Sequence, residues 1–581
     1  MNNILSGFSN VLIIGCGGAG LRAAIEVKMS GLNVKVLGKR LKSDAHTSLA
    51  AGGINAALGN LDHNDSWKQH FIDTYIEGYG IGDPSHIEIM VKEAPDFVKE
   101  VDNWGANFEK LPNGKLDQRF FGAHKYRRTC YSGDYSGQSI LNALLKKSSL
   151  LGIPIDDEQY VTDLLVKNNV CFGAVSFNIK NGQKCINLAD SVVLCTGGHT
   201  RIWKINSSRK YENNGDGLYL GLKAGCSLID MEMVQFHPTG MVLPEEIAGT
   251  LVTEAVRGEG GRLLNINGER FMKKYDKKRM ELSTRDRVAL ANYTEILEGR
   301  CTANGGVFLD ISHRDKEFIM RKLPRIYNQF LEYQNLDISQ KPMEVAPTAH
   351  YSMGGIKVDA DNHSACVEGL FAAGEVAGGL HGANRLGGNS LSEILVFGSR
   401  AGLAAVNYSR NSSKSLSCEL VIKKCLNSID EIMHSGKNEI EPMERDLQSL
   451  MWLNCGVVKD EQKLKDAIKS ILKIKNKSQS LVINIENGNY RDLISAYNLK
   501  ASIISAEATL LSSLNRKESR GSHQRNDYKL IRKKENVNYI VRLKNNELEI
   551  SKQSTKDVPK EFKNYKFILE SKNELKGKLL E

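Results

Sequence analysis

Long apolar runs are absent from these 581 residues: no uninterrupted stretch reaches the roughly 18 residues that a membrane-spanning helix needs. The N-terminus has neither the charged region and small-residue cleavage site of a secretory signal nor the Arg-rich character of a transit peptide. The expectation is a chain with no transmembrane segment or signal peptide of its own, attached to any membrane only through a partner. Paired cysteines are missing too. The 11 cysteines are scattered with no Cys-x-x-Cys spacing, which excludes the usual zinc and iron-sulfur ligand sets, so no metal site is expected. Their odd number argues against a disulfide framework and for a reduced, cytosolic setting in which most serve as small apolar residues. No basic run is interleaved with aromatics, so 78 Lys and Arg against 68 Asp and Glu suits anionic ligands without implying nucleic acid. Internal repeats and low-complexity tracts are lacking as well.

The chain is too long for one compact core, and 41% hydrophobic with 25% charged residues is ordinary for a soluble globular protein. Val11-Leu12-Ile13-Ile14 is a short apolar run that stops at Gly15-Cys16-Gly17-Gly18-Ala19-Gly20, after which Leu21 to Met29 has helical periodicity. A strand, a Gly-x-Gly-x-x-Gly turn and a helix form a dinucleotide-binding signature, because glycines let backbone N–H groups approach a pyrophosphate at the helix N-terminus. A second strand is expected from Asn33 to Leu37, and where an acidic residue usually holds a ribose hydroxyl this chain has Gly38-Lys39. A short loop further on, Asp44-Ala45-His46-Thr47, carries an imidazole towards the glycine pair Gly52-Gly53.

Two later strands also end in glycine turns, Ser191 to Gly198 and Gly369 to Glu375, and a glycine-rich turn from His381 to Ser390 leads into a helix from Leu391. Such widely separated pieces predict one parallel-sheet domain built from residues 1–241 and 345–410, with 242–344 inserted as a capping domain. Asn411-Ser412-Ser413-Lys414-Ser415 reads as a linker into a helical domain, 411–535, with helices over Leu420–Met433, Glu441–Leu453, Gln462–Ile474 and Asn498–Leu514. The end, 536–581, is expected to be a basic tail with a hairpin around Asn545-Asn546. The fold class is therefore α/β: a Rossmann-like dinucleotide-binding domain with an inserted α+β domain, then a helical domain and a short β-like tail.

With these blocks in place the chain resembles the flavoprotein subunits of succinate dehydrogenase and quinol:fumarate reductase over roughly residues 10 to 535. The resemblance rests on Gly15 to Gly20, His46-Thr47, Phe236-His237-Pro238-Thr239-Gly240, Thr253 to Gly261, Gly268 to Met272, Arg285-Asp286, Ala349 to Ile356, Asn384 to Ser390 and Glu518 to His523, in that order. It implies FAD, held by Gly15, Gly17, Gly18, Gly20, Lys39, Thr47, Gly52, Gly53, Asp216, Glu375, Ser390 and Leu391, and bonded covalently through His46. Two positions depart from the family pattern: Asp44-Ala45 stands where Arg-Ser is usual, and Ala51 where Gln is usual.

By the same resemblance His237, Thr253, His350 and Arg385 grip the two carboxylates of succinate or fumarate. Those residue types suit the task, since a guanidinium offers a planar fork and His and Thr add directional donors. Arg285 is implied as the proton donor or acceptor, served by a relay through Glu254 and Arg257. Glu254 and Arg257 are also three residues apart, so a plain helical ion pair is the other reading of that spacing.

A flavin reduced by two electrons must be reoxidised, yet the sequence has no cluster spacing, no haem motif and no second nucleotide signature. The resemblance implies an iron-sulfur subunit that links the chain to a membrane anchor and quinone, with the chain peripheral on the cytoplasmic side of a prokaryotic membrane. Two other functions fit parts of the pattern. One is an L-aspartate oxidase, which shares most of the loop but lacks the histidine; the other is a flavin-binding assembly component without turnover.

Overall fold

The computed structural model describes residues 4–412, 417–433, 436–485 and 490–565. The linker expected at 411–415 falls largely outside these residues, as does the Lys-rich end beyond 565.

A seven-stranded sheet forms the first layer, in the order Ile155–Asp156, Val34–Leu37, Leu5–Ile14, Lys184–Leu194, Val170–Asn178 and Gln159–Lys167, with Leu370–Ala372 also pairing to Lys184–Leu194. Its nucleotide-binding half is parallel: Leu5–Ile14 pairs in parallel with both Val34–Leu37 and Lys184–Leu194. Parallel strands with both faces covered read as continuous apolar runs, which is why Val11 to Ile14 and Val192 to Leu194 stand out in the sequence. The antiparallel strands are less visible. The polar ends of Lys184 to Asn187 hide the first half of its strand, which pairs antiparallel with Val170–Asn178 on one side and parallel with Leu5 to Gly7 on the other.

One face of the sheet is covered by helices Gly18–Met29, Pro84–Val101, Ser136–Leu150 and Asn389–Asn411, whose apolar sides share one core with Val11, Ile13, Val34 and Val36. The opposite face carries Leu12, Ile14, Leu194 and Leu370 into a second core with helix Asp216–Ala224. A separate four-stranded antiparallel sheet, Val234–Met241, Met343–Ser352, Val307–Asp310 and Arg262–Leu264, has its own core with Val252, Val288, Tyr327 and Phe330. Val234–Met241 precedes the expected 242–344 insertion and Met343–Ser352 runs across its far end, so continuous strands join the capping and nucleotide-binding regions.

Helices Glu419–Met433, Ile440–Asn454, Glu461–Lys477 and Arg491–Asn515 form the C-terminal helical region. The last begins at Arg491, seven residues before the expected Asn498. It is buried from Leu493 to Ser513 on nearly every side, so no polar stripe marks its period in the sequence. The hairpin Val537–Lys544 and Glu547–Ser554 turns through Asn545 and Asn546, both with positive φ. It is no free tail: Ile540 and Val541 pair with Ile229 and Leu228, adding the hairpin to a five-stranded sheet. Among the described residues no helix is long and apolar enough to cross a membrane.

Candidate functional site

One cavity runs from the glycine turn to the capping sheet. It is lined by Gly15, Gly17, Gly18, Lys39, His46, Thr47, Gly52, Gly53, Asp216, Glu375, Ser390 and Leu391, and also by His237, Thr253, Glu254, Arg285, His350 and Arg385. Two of the residues singled out from the sequence lie behind its wall. Gly20 is under the turn, and Arg257 stands behind Glu254 with Nη2 3.7 Å from Glu254 Oε2.

The turn requires its glycines. Gly15 has φ of +115°, and a Cβ there would meet the Cys195 carbonyl oxygen at 2.1 Å. A Cβ on Gly20 would lie 1.9 Å from the Gly15 carbonyl oxygen, so the helix could not approach the strand. Gly18 begins the helix, and its N–H donates to Thr47 Oγ1 at 3.0 Å, tying the His46-Thr47 loop to the helix N-terminus. First-turn N–H groups bordering an open cavity are what a pyrophosphate needs. Lys39, in place of the usual acid, pairs with Asp216, and Asn498 Oδ1 accepts from its Nζ at 3.3 Å. These features fit FAD, and the residues that would hold its phosphates and ribose are the glycine turn, Thr47, Lys39 and Asp216.

At the capping end, two guanidiniums converge on one amide. Gln235 Oε1 accepts from Arg285 Nη1 at 3.1 Å and from Arg385 Nη2 at 3.2 Å. Glu254 holds Arg285 by its Nε at 2.8 Å and is itself fixed by the Gly122 N–H at 2.8 Å. Arg385 lies over the Tyr351 ring at 4.1 Å and donates from Nη1 to Ser390 Oγ at 3.1 Å, while its buried Nε has no hydrogen-bond partner. The imidazoles of His237 and His350 meet edge to face at 5.3 Å, and Ser207 Oγ lies 2.8 Å from His350 Nδ1.

Burial, then the nearby arginines, hold both His237 and His350 well below the ordinary histidine range, so both rings are neutral at pH 7. Burial and the neighbouring Arg285 also lower Arg385, to about 10. Two mutually repelling guanidiniums buried in one pocket, with neutral donors around them, favour an anionic ligand.

Glu254 shows the opposite balance. Burial opposes its ionisation, but Arg285 and Arg257 pull its carboxyl down to about 2, and His46 and Arg209 bring Glu212 down to about 2 as well. A carboxylate depressed from an ordinary value of 4.5 contributes stability that is present above that value and lost as pH falls towards the folded one. Each group stands for on the order of 3 kcal/mol. The urea midpoint is therefore expected to drop between pH 5 and pH 3, with a shallower drop in Glu254→Gln; equal slopes in the two proteins would contradict the pairing.

Several residues of this site escape motif reading. Gln235 is adjacent to the His237 motif but bridges Arg285 and Arg385 only in three dimensions. Arg119 donates from Nε to the Gly52 carbonyl at 3.2 Å and from Nη2 to the Gly133 carbonyl at 3.1 Å, holding the glycine pair from outside the cavity. Among the described residues no group of three or more His, Cys, Asp or Glu side chains is placed to hold a metal ion.

Comparison with known proteins agrees with this architecture. Residues 10–391 match the FAD binding domain family and residues 444–566 the fumarate reductase flavoprotein C-terminal family. The chain is 44% identical over 520 residues to a subunit of the CoM/CoB fumarate reductase of Methanothermobacter marburgensis, covering 89% of this chain and 94% of that one. It is 38% identical over 532 residues to the 8-methylmenaquinol:fumarate reductase flavoprotein subunit of Wolinella succinogenes, covering 89% and 86%. Among solved structures, Mycobacterium smegmatis Sdh1 superposes with a TM-score of 0.86 at 36% identity over 96% of both chains. Quinol fumarate reductase FrdA of E. coli gives a TM-score of 0.91 at 30% identity over 95% of this chain and 98% of that one. The chain belongs to the family of succinate dehydrogenase and fumarate reductase flavoprotein subunits and is an FAD-dependent oxidoreductase.

Proposed function

We propose that this protein interconverts succinate and fumarate in the pocket between Arg285 and Arg385 and passes electrons to or from a separate iron-sulfur subunit. The observation that carries the reading is the convergence of Arg285 and Arg385 on Gln235 beside two neutral histidines. Arg385, His350, His237 and Thr253 bind the two carboxylates of the substrate. FAD, when bound, supplies hydride transfer at its N5. Arg285 donates or takes the proton on the adjacent carbon, and Glu254 holds that guanidinium in place, with Arg257 behind it completing the relay. Burial of these groups excludes water from the reacting carbons.

His46 is the attachment point for the flavin in this reading, supported by its place in the cavity wall and by the Thr47 contact to Gly18. His46→Gln is expected to bind FAD but to release all of it on acid precipitation, whereas wild type keeps flavin on the polypeptide. Complete release from wild type would remove the covalent assignment.

Electrons reach a quinone through the iron-sulfur subunit with its membrane anchor, and this chain is peripheral on the cytoplasmic face. A reductase linked to CoM and CoB is the second reading, favoured by 44% identity to the relative named for them. Purification with the native partner, followed by assays with quinol and with CoM plus CoB as donors for fumarate, separates the two. Peroxide formation from L-aspartate without dicarboxylate turnover would instead make the chain an L-aspartate oxidase, and an intact complex that is inert towards all of these would make it an assembly component.

A further inference from the structure

Asp44, a departure from the family pattern, is the outer end of a charge network that terminates on His46. Its carboxylate accepts from Arg40 Nε at 3.0 Å and pairs with Arg209, whose Nη2 also donates to the Asp44 carbonyl at 2.7 Å. Arg209 in turn forks onto Glu212 Oε1, from Nε at 3.1 Å and from Nη2 at 2.8 Å, and its backbone N–H reaches Glu212 Oε2 at 3.1 Å. Arg40 Nε lies 3.5 Å from the same Oε1. Glu212 Oε2 then meets His46 Nδ1 at 2.9 Å. Asp44 thus steers Arg209, and Arg209 steers the carboxylate; Glu212 is only 6% exposed and has no freedom to turn away.

An ionised carboxylate only accepts hydrogen bonds, so His46 Nδ1 must be the protonated nitrogen. Nε2 is then the ring atom left for whatever fills the cavity. We propose that Glu212 is the positioning residue for His46: it fixes the Nδ1–H tautomer, presents Nε2 to the cofactor, and compensates positive charge on the ring. The inference rests on the reading that FAD occupies this cavity beside His46. A carbon attached at Nε2 would leave Nδ1 as the ring's one titrating nitrogen, so the same carboxylate governs the charge with or without that bond.

The groups around the ring support the charge role. Burial pushes His46 down, but Glu212 and then Glu375 outweigh it, with Arg209 opposing, and the net direction is above the ordinary histidine value. His350, another imidazole of the cavity, is lowered first by burial and then by Arg385 and Arg285, with His46 adding in the same direction.

The test is nitrogen NMR on the full-length protein labelled with 15N-histidine, comparing wild type, Glu212→Gln, Glu212→Ala and Asp44→Asn, with His46→Gln used to assign the signal. Acid precipitation of the same samples measures bonded flavin. Wild type is expected to show a proton on Nδ1, as the tautomer where Nε2 is free and as the imidazolium where Nε2 carries the flavin, and a midpoint above that of an ordinary histidine. In Glu212→Gln the amide oxygen keeps the tautomer while the midpoint falls by about one pH unit. Glu212→Ala loses the tautomer preference, and Asp44→Asn, which leaves Glu212 intact, shifts the midpoint by a smaller amount. An Nε2–H tautomer in wild type, or a midpoint unchanged in Glu212→Gln, overturns the proposal. If wild type releases all its flavin in acid while the His46 signal still follows Glu212, the covalent reading fails and this one stands.

Discussion

Arg285→Ala is expected to lower kcat for both succinate oxidation and fumarate reduction by about 10² to 10⁴, the range that a positioned proton donor supplies, while the protein keeps its full complement of FAD. The separation follows from where Arg285 sits. Its Nε is held by Glu254 at 2.8 Å and its Nη1 by Gln235 at 3.1 Å, both at the capping end of the cavity, away from the glycine turn and Thr47. These bonds tie it to the capping end and not to the glycine turn, Lys39 or Thr47. Arg285→Lys keeps a cation but cannot reach Glu254 and Gln235 at once through a planar fork, so it should recover only part of the loss. Steady-state assays in both directions, with flavin content read from absorbance, decide the matter. A variant that retains more than about a tenth of wild-type kcat with full flavin would remove Arg285 from the proton-transfer role, since acid–base catalysis is worth at least about a hundredfold.

Glu254 sharpens this expectation. Its depressed carboxyl means that it stays ionised throughout the neutral range and acts on Arg285 as a fixed counter-charge. The i,i+3 spacing of Glu254 and Arg257 suggests a simple helical pair, and the geometry shows a different hierarchy: Arg257 is 3.7 Å away while Arg285, from another helix, is 2.8 Å away. Arg257 instead donates from Nη1 to the Glu281 carbonyl at 2.6 Å.

How much of this can be read in the chain depends on the range of each constraint. The glycine turn is legible because its pattern is local: a Cβ at Gly20 collides with the Gly15 carbonyl within the same turn, and the flanking apolar run and helix announce the rest, whereas the clash that demands glycine at Gly15 is with Cys195 on the neighbouring strand. The hairpin at Asn545-Asn546 is legible for the same reason. Its docking onto Leu228 and Ile229 is not, because strand pairing over some three hundred residues leaves no periodic trace. Around the candidate site, the residues inside motifs are readable and those between motifs are not. Gln235 and Glu212 are single polar residues in ordinary surroundings, and their importance comes from side chains that approach from 150 and 166 positions away. Asp44 is visible only as a departure; its partner Arg209 gives it a reason.

Arg516→Met illustrates a long-range constraint with a large cost. The Glu518-to-His523 motif follows Arg516, whose guanidinium is fully buried and serves three carboxylates: Nε to Glu232 at 2.6 Å, Nη1 to Glu518 at 3.1 Å, and Nη2 to Asp230 at 3.5 Å. It also donates to the carbonyls of Glu535 and Val537, at 3.1 Å and 2.9 Å, clamping the entry to the C-terminal hairpin. Methionine replaces the volume but leaves Glu232 and Asp230 facing each other without a cation, a loss expected to cost about 3–5 kcal/mol. Asp230 is raised to about 7 by burial and by Glu232 even with Arg516 present. Without the arginine the Asp230 carboxyl must rise further. A raised acid contributes stability that is complete below its unfolded value and is lost as pH climbs through the folded one. The deficit of Arg516→Met, measured as the difference in urea midpoint from wild type, should therefore be larger at pH 8 than at pH 5. The consequence reaches the candidate site, because Ser522 Oγ donates to Asn384 Oδ1 at 3.2 Å and Gln235 Nε2 donates to the same oxygen at 2.7 Å, beside Arg385. Loosening the motif should raise KM for the dicarboxylate before the protein unfolds. A pH-independent deficit with KM unchanged would show that Arg516 neither compensates these carboxylates nor supports the turn that carries Asn384 and Arg385.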